Sequence, residues 1–406
     1  MSGRSGLILL GILVMHLGCM DDGASNSRSA FRWGDRHLGS APRGPHVSVP
    51  PPSLGAPTYA WSRLYPSGDP PTAYGGGAGF DAANDRLIWF GGSQGSYTLP
   101  SNAAWSLSFG DVLGWSLMPS LENSPEPRIF PLVIDMPGTD DLLVFGGERF
   151  QKEPGDQFML NDLWVMKAAS LVPTWQQLIS NNSANPPMGR VWTAGTFNAN
   201  ANALVVFGGG TMGGPGLMSG DTWAAADGTD GWTWQRISSP PDGPGPVASA
   251  CFAYHPLLDG LVVAGGVGPA GMVRDVWFLP LVEGAFSPWI RVAVTDDRPL
   301  PYASCECAFD PVAKLVLCYG GEEMHAGEKY SRDATSLWGL VLTSQSTGFW
   351  RQAIGVGVPP TGHLGSTIVL DRRRDRFVRV FGAYYDSENG LHATNETWIL
   401  ERVPTN

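Results

Sequence analysis

Short apolar blocks, each closed by a glycine pair, recur along most of this chain. They read LIWFGG (ending Gly91-Gly92), LLVFGG (Gly146-Gly147), LVVFGG (Gly208-Gly209), LVVAGG (Gly265-Gly266), LVLCYGG (Gly320-Gly321) and, degraded, VRVFGA (Gly382-Ala383). A Trp follows each block: Trp105, Trp164, Trp223, Trp277, Trp338 and Trp398. A second Trp lies just beyond, at Trp115, Trp175, Trp234, Trp289 and Trp350. That second series returns about every 60 residues, a period that marks a solenoid or a propeller. One period holds four strand-like pieces, for example Arg128–Ile134, Leu142–Phe145, Leu163–Lys167 and Trp175–Leu178. They are β-branched or aromatic, and turn residues separate them. Four short antiparallel strands per repeat make one propeller blade.

An apolar strand, a glycine pair, a variable loop, then Asn161-Asp162-Leu163-Trp164 and a closing Trp together resemble the kelch repeat. The resemblance covers nearly all of residues 57–402 and implies an all-β fold, a six-bladed kelch-type β-propeller. Ala383 departs from the pattern, and the Arg expected before each first strand survives only as Arg128 and Arg190. The chemistry of the repeat is structural. Glycine pairs turn the chain with positive φ where blades crowd, and each Trp buries on the order of 200 Å² in the wedge between blades. Trp61 opens WSRL, a last-strand sequence with no blade ahead of it, while the sixth unit ends after Trp398 without a second Trp. The N-terminal piece is therefore expected to pair as the outer strand of the last blade. That exchange closes the ring without exposed ends, and the closed ring is expected to be a monomer.

Composition sharpens this picture. Charged residues are only 16%, against 53 Gly and 34 Pro, which excludes long surface helices. The net charge is −11, and the longest basic run is Arg372-Arg373-Arg374. No nucleic-acid partner is expected, nor electrostatic membrane binding. Arg4 followed by the apolar stretch Leu7–Leu17 reads as a signal peptide over 1–18. Gly18-Cys19 at its end resembles a bacterial lipoprotein signal, with His16 and Leu17 departing from the usual residues. The resemblance implies lipidation of Cys19, export, and membrane attachment through the lipid anchor alone. Residues 19–56 lack apolar periodicity and read as a disordered linker, ahead of a propeller over 57–406.

Candidate chemistry gathers on one face. Loops joining strands two and three of a blade share that face with the loops between blades, and loops on rigid scaffolds carry function. Kelch proteins resembling this one commonly bind partners there, so a protein or glycan ligand is expected at loops 148–161, 322–336 and 384–396. Candidate ligand-binding residues are Arg149, Glu322, Glu323, His325, Arg332, Tyr384 and Tyr385. Arg128, Arg190, Tyr302 and His363 begin first strands near the channel, where Arg could take a carboxylate or simply bond to carbonyls of the next blade. No catalytic motif is present, and no cofactor or metal is expected from the spacing of His, Cys and carboxylates. The kelch resemblance leaves a second reading, a carbohydrate-active enzyme similar to galactose oxidase or to sialic-acid mutarotases. Glu322, Glu323 and Arg332 would then act as acid–base groups. Cys307 and Cys318 fall opposite each other in one predicted hairpin, at a separation a disulfide could bridge. Cys305 and Cys251 lie nearby.

Overall fold

The computed structural model describes residues 57–404, apart from 95–99, 120–122, 137, 150–158, 169–171, 183–186, 200, 212–216, 239–240, 282–286, 296–301, 324–335, 362–363 and 386–390. The regular elements among the described residues are all β-strands. They form six four-stranded antiparallel arrays. Blade one is Tyr74–Asp81, Arg86–Ser93, Ala104–Ser108 and Gly114–Leu117; blade two is Leu132–Asp135, Leu142–Phe145, Leu163–Lys167 and Thr174–Ile179. Blade three is Ala194–Asn198, Ala203–Phe207, Thr222–Gly228 and Gly231–Ser238; blade four is Cys251–His255, Gly260–Ala264, Val276–Pro280 and Ile290–Arg291. Blade five is Glu306–Asp310, Leu315–Tyr319, Leu337–Leu342 and Thr347–Val356. Blade six is Thr367–Asp371, Arg376–Val380 and Thr397–Arg402, with Thr58–Leu64 as its outer strand. The six inner strands touch in cyclic order, and the first returns to the sixth. This is a β-propeller.

Closure follows the sequence pattern. Thr58–Leu64 runs antiparallel to Thr397–Arg402, with Trp61 opposite Leu400. The same strand also pairs in parallel with blade five, from Thr58↔Ile354 to Ala60↔Val356. The cause is an overhang: Ala353 is the last residue of that strand opposite its own third strand, so Ile354, Gly355 and Val356 offer backbone groups to a neighbour. Unpaired edge groups recruit a strand when one is within reach.

The blades are joined by a repeated aromatic contact. Each outer-strand Trp meets the ring near the end of the second strand of the preceding blade. Ring centroids lie 4.8 Å apart for Phe90–Trp175, 5.0 Å for Phe145–Trp234 and for Phe207–Trp289, 4.7 Å for Tyr319–Trp61 and 4.9 Å for Phe381–Trp115. Such pairs contribute about 1 kcal/mol each beyond their buried area. The seam between blades four and five lacks the ring. Ala264 stands there, packed in one cluster with Trp350, Cys251, Cys305 and Cys318.

That seam carries a covalent bond in place of the aromatic contact. The disulfide joins Cys251 to Cys307, which corrects the expected Cys307–Cys318 pairing. The expected register itself is present, with Cys307 directly opposite Cys318 and their sulfurs 3.1 Å apart. Neighbouring inner strands also face each other across the seam, and the partner comes from there rather than from the same hairpin.

The glycine pairs have separate tasks. The first N–H returns to its own third strand, as Gly208 to the Asp221 carbonyl. The second reaches the next blade: Gly92 N–H donates to Arg128 O, Gly147 to Arg190 O and Gly209 to Val247 O, at 2.8–2.9 Å. In blade six the residues in these roles are Phe381 (φ 59°) and Gly382 (φ 107°). Phe381 N–H donates to Glu396 O and Gly382 N–H to Ala73 O. The glycine lost from the degraded pair is thus the first, and Ala383 lies beyond it.

Candidate functional site at the channel mouth

A cavity of about 1460 Å³ runs along the propeller axis, lined by the inner strands of all six blades. At the loop face, each inner strand begins with one residue in the left-handed conformation. These are Gly75 (67°), Phe130 (55°), Trp192 (53°), Ser249 (54°), Ser304 (56°) and Gly365 (59°). Their backbones bond from blade to blade. Gly75 N–H donates to Gly365 O at 2.7 Å, Phe130 to Gly75 O at 2.5 Å, Ser249 to Trp192 O at 3.1 Å and Ser304 to Ser249 O at 2.8 Å. A belt of main-chain hydrogen bonds therefore rims the mouth.

Two positions of the belt hold large aromatics, which adopt this conformation at a cost of roughly 1–2 kcal/mol. The Phe130 and Trp192 rings lie 5.5 Å apart and line the cavity beside Met159, Leu217 and Met218. Trp192 is 37% exposed and Leu217 49%. Aromatic and Met side chains held open at a rigid mouth form an adaptable apolar patch. The sequence signal for Trp192 is that it falls outside both Trp series, so packing between blades does not account for it. Strained backbone at such a place points to function rather than to folding.

The residues singled out from sequence divide sharply. Arg128 and Arg190 are buried and face their own blades, not a ligand. Arg128 donates to Asp162 at 2.7 and 2.9 Å and to Gly146 O at 2.9 Å. Arg190 donates to Asp221 at 2.9 Å and to Gly208 O at 3.0 Å. This corrects both readings of them, since the carboxylate and the carbonyls they hold belong to the same blade. Asp162 and Asp221 also accept from the indoles of Trp164 and Trp223, so each Arg locks the third strand onto the first. Arg149 lies half-buried, 3.6 Å from Glu126. Burial raises the neighbouring Glu148 carboxyl above its ordinary value. Tyr384 is 39% exposed and stacks on His392 at 5.4 Å, on the hairpin Ala383–Tyr385 with Leu391–Ala393. The backbones of Tyr302 and Glu323 pair, as do those of Tyr385 and Leu391, and Glu322 pairs with Ala303. Cys19, His325, Arg332 and His363 lie outside the described residues.

A family model for the KLHDC2/KLHL20/DRC7 Kelch-repeats domain matches residues 136–382. The chain belongs to the kelch-repeat family. Among curated proteins it resembles the flagellar outer arm dynein alpha chain of Chlamydomonas reinhardtii, at 26% identity over 265 residues. That match covers 61% of this chain and 5% of the other. It also resembles Adagio-like protein 3 of Oryza sativa subsp. japonica, 26% identical over 274 residues, covering 64% of this chain and 38% of that protein. The kelch chain thus spans well under half the length of these relatives. The solved structure of YjhT covers 83% of it and is itself covered to 99%, with a TM-score of 0.55 and 15% identity. That likeness concerns the fold.

Deeper in the kelch channel the polar groups are paired. Glu306 of blade five and Arg379 of blade six meet at 3.0–3.1 Å. Ser366 donates to Glu306 and accepts from Arg379 at 2.7 Å. Near the opposite, short-turn end, His255 is fully buried against the Phe309 ring at 4.7 Å. Burial pushes its imidazole down to about 4. It occupies the strand end where Asp81, Asp310 and Asp371 stand in blades one, five and six.

Proposed function

We propose that this kelch propeller is a binding module that takes an apolar segment of a partner protein at the loop-face mouth of its channel. The observation that carries the reading is Trp192, held in a left-handed conformation and partly open beside Phe130. The surrounding side chains, Met159, Leu217 and Met218, favour a protein segment over a sugar, because a glycan needs convergent hydrogen-bonding groups that this rim does not offer. Buried aromatic anchors carry a large share of interface energy, and Trp leads them. Capture on peptide and glycan arrays tests the reading. Wild-type protein should retain peptides with aromatic or long aliphatic residues, and Trp192→Gly should lose them. Retention of glycans alone would favour the carbohydrate reading instead.

The module works outside the cytoplasm on a lipid attached to Cys19. Gly18-Cys19 after the apolar stretch supports this reading, and a disulfide suits an oxidising compartment. Cys19→Ser should release the protein from membranes and abolish fatty-acid labelling. Undiminished membrane retention of the variant would rule the anchor out.

A further inference from the structure

The seam between blades four and five gathers four sulfurs. Cys251 comes from the inner strand of blade four, Cys305 and Cys307 from the start of blade five, and Cys318 from its second strand. All four sulfurs lie within 4.8 Å of one another. Beyond the Cys251–Cys307 bond, Cys318 Sγ sits 3.2 Å from Cys251 Sγ and 3.1 Å from Cys307 Sγ. Cys305 Sγ is 3.7 Å from Cys307 Sγ.

We infer that the reduced seam is a four-thiolate site for a divalent thiophilic ion of the zinc class, and that the disulfide is its metal-free oxidised form. Tetrahedral zinc with bonds of 2.3 Å sets its sulfurs roughly 3.8 Å apart. The separations here bracket that figure, so opening the disulfide and drawing in the widest pair completes the tetrahedron. Room for the ion exists because Ala264 replaces the ring that fills the other described seams. Access exists as well, since Cys305 and Cys307 line the central cavity. The site faces that cavity on one side, which eases burial of its net charge. Spacing along the chain hides it, because the ligands come from three strands of two blades. The expectation of no metal is revised on that ground.

The exchange balances. A dithiol reductant gives two electrons and two protons to the Cys251–Cys307 bond and becomes a disulfide itself. Four thiols then release four protons to the buffer as they bind one divalent ion. Either state ties blade four to blade five. The two therefore differ in ligand and redox state, not in the contact they maintain.

The test uses the full chain, reduced with a dithiol under argon or left oxidised. Each sample is incubated with Co²⁺ or Zn²⁺ and then desalted. The reduced chain should hold about one ion and show the intense absorption of tetrahedral cobalt–thiolate coordination, and the oxidised chain should show neither. Cys305→Ser and Cys318→Ser should each weaken zinc binding by more than about 100-fold, exceeding what loss of a supporting residue causes. Cys19 is common to all samples and cancels. Thermal unfolding confirms that each variant is folded. If neither serine variant folds, the cobalt spectrum of the reduced wild-type chain decides alone. Absence of the thiolate absorption there, or zinc retention equal to that of a folded variant, overturns the inference.

Discussion

Trp192 holds a conformation that glycine supplies at two of the six equivalent positions, Gly75 and Gly365. Replacing it with glycine should relieve roughly 1 kcal/mol of backbone strain while losing its contact with Phe130. Thermal stability of Trp192→Gly should stay near that of the wild type, measured by urea unfolding, while binding falls. His255 behaves differently, because its cost appears only in acid. The folded chain keeps its imidazole neutral down to about pH 4, whereas an unfolded His takes a proton near 6.5. Between those values the unfolded state binds more protons, so stability is full above about pH 6.5 and falls towards pH 4 by roughly 3 kcal/mol. Blade three has Asn198 at the corresponding strand end. His255→Asn should therefore flatten the dependence of unfolding free energy on pH over that window. An unchanged slope would show that other groups set it. The sequence marks Arg128 and Arg190 as repeated but not what they hold, since Asp162 and Asp221 lie some thirty residues further on and only pairing of the strands brings them near.

The strands were legible because packing demands repetition. Alternating apolar runs, glycine pairs and Trp recur with the blades, and each recurrence reports the same wedge between neighbours. The outer strand of blade six was legible for the same reason: WSRL matches a register that its neighbours already display. Its parallel pairing to blade five was not, because that depends on how far Thr347–Val356 overhangs. Removal of residues 57–65 should uncover the edge of Thr397–Arg402 and strip Trp61 from Tyr319. Lower thermal stability and aggregation are expected, and unaltered unfolding and solubility of the truncation would contradict the pairing. The short turns opposite the loop face are less passive than their Asn and Asp content suggests. Asn84 donates to Asp81 at 2.9 Å and to Ala168 O of blade two at 3.2 Å, so it ties two blades together. Neutral surface controls belong instead at Leu257 and Val312, which are 42% and 59% exposed on that side.

At the scale of the whole molecule, the propeller separates two demands. Aromatic contacts, the main-chain belt and the Cys251–Cys307 bond close the ring, and the loop face above them is free to vary. The candidate site was only partly legible. Sequence reasoning favoured the polar loops of blades five and six because they do not repeat. The structure adds an apolar mouth at blades two and three, assembled from single residues of separate loops and from a backbone conformation that no spacing reports. The central claim, that a partner segment seats on this mouth, is tested most directly by one comparison. Immobilised wild type, Trp192→Gly, and the turn-face variants Leu257→Ser and Val312→Ser are titrated with whichever peptides the wild type captures from an array. The account predicts that Trp192→Gly weakens binding by at least about tenfold, a loss of the order of 1.4 kcal/mol expected for an anchor residue, with the turn-face variants unchanged. Binding that survives Trp192→Gly but falls with Leu257→Ser or Val312→Ser would contradict it.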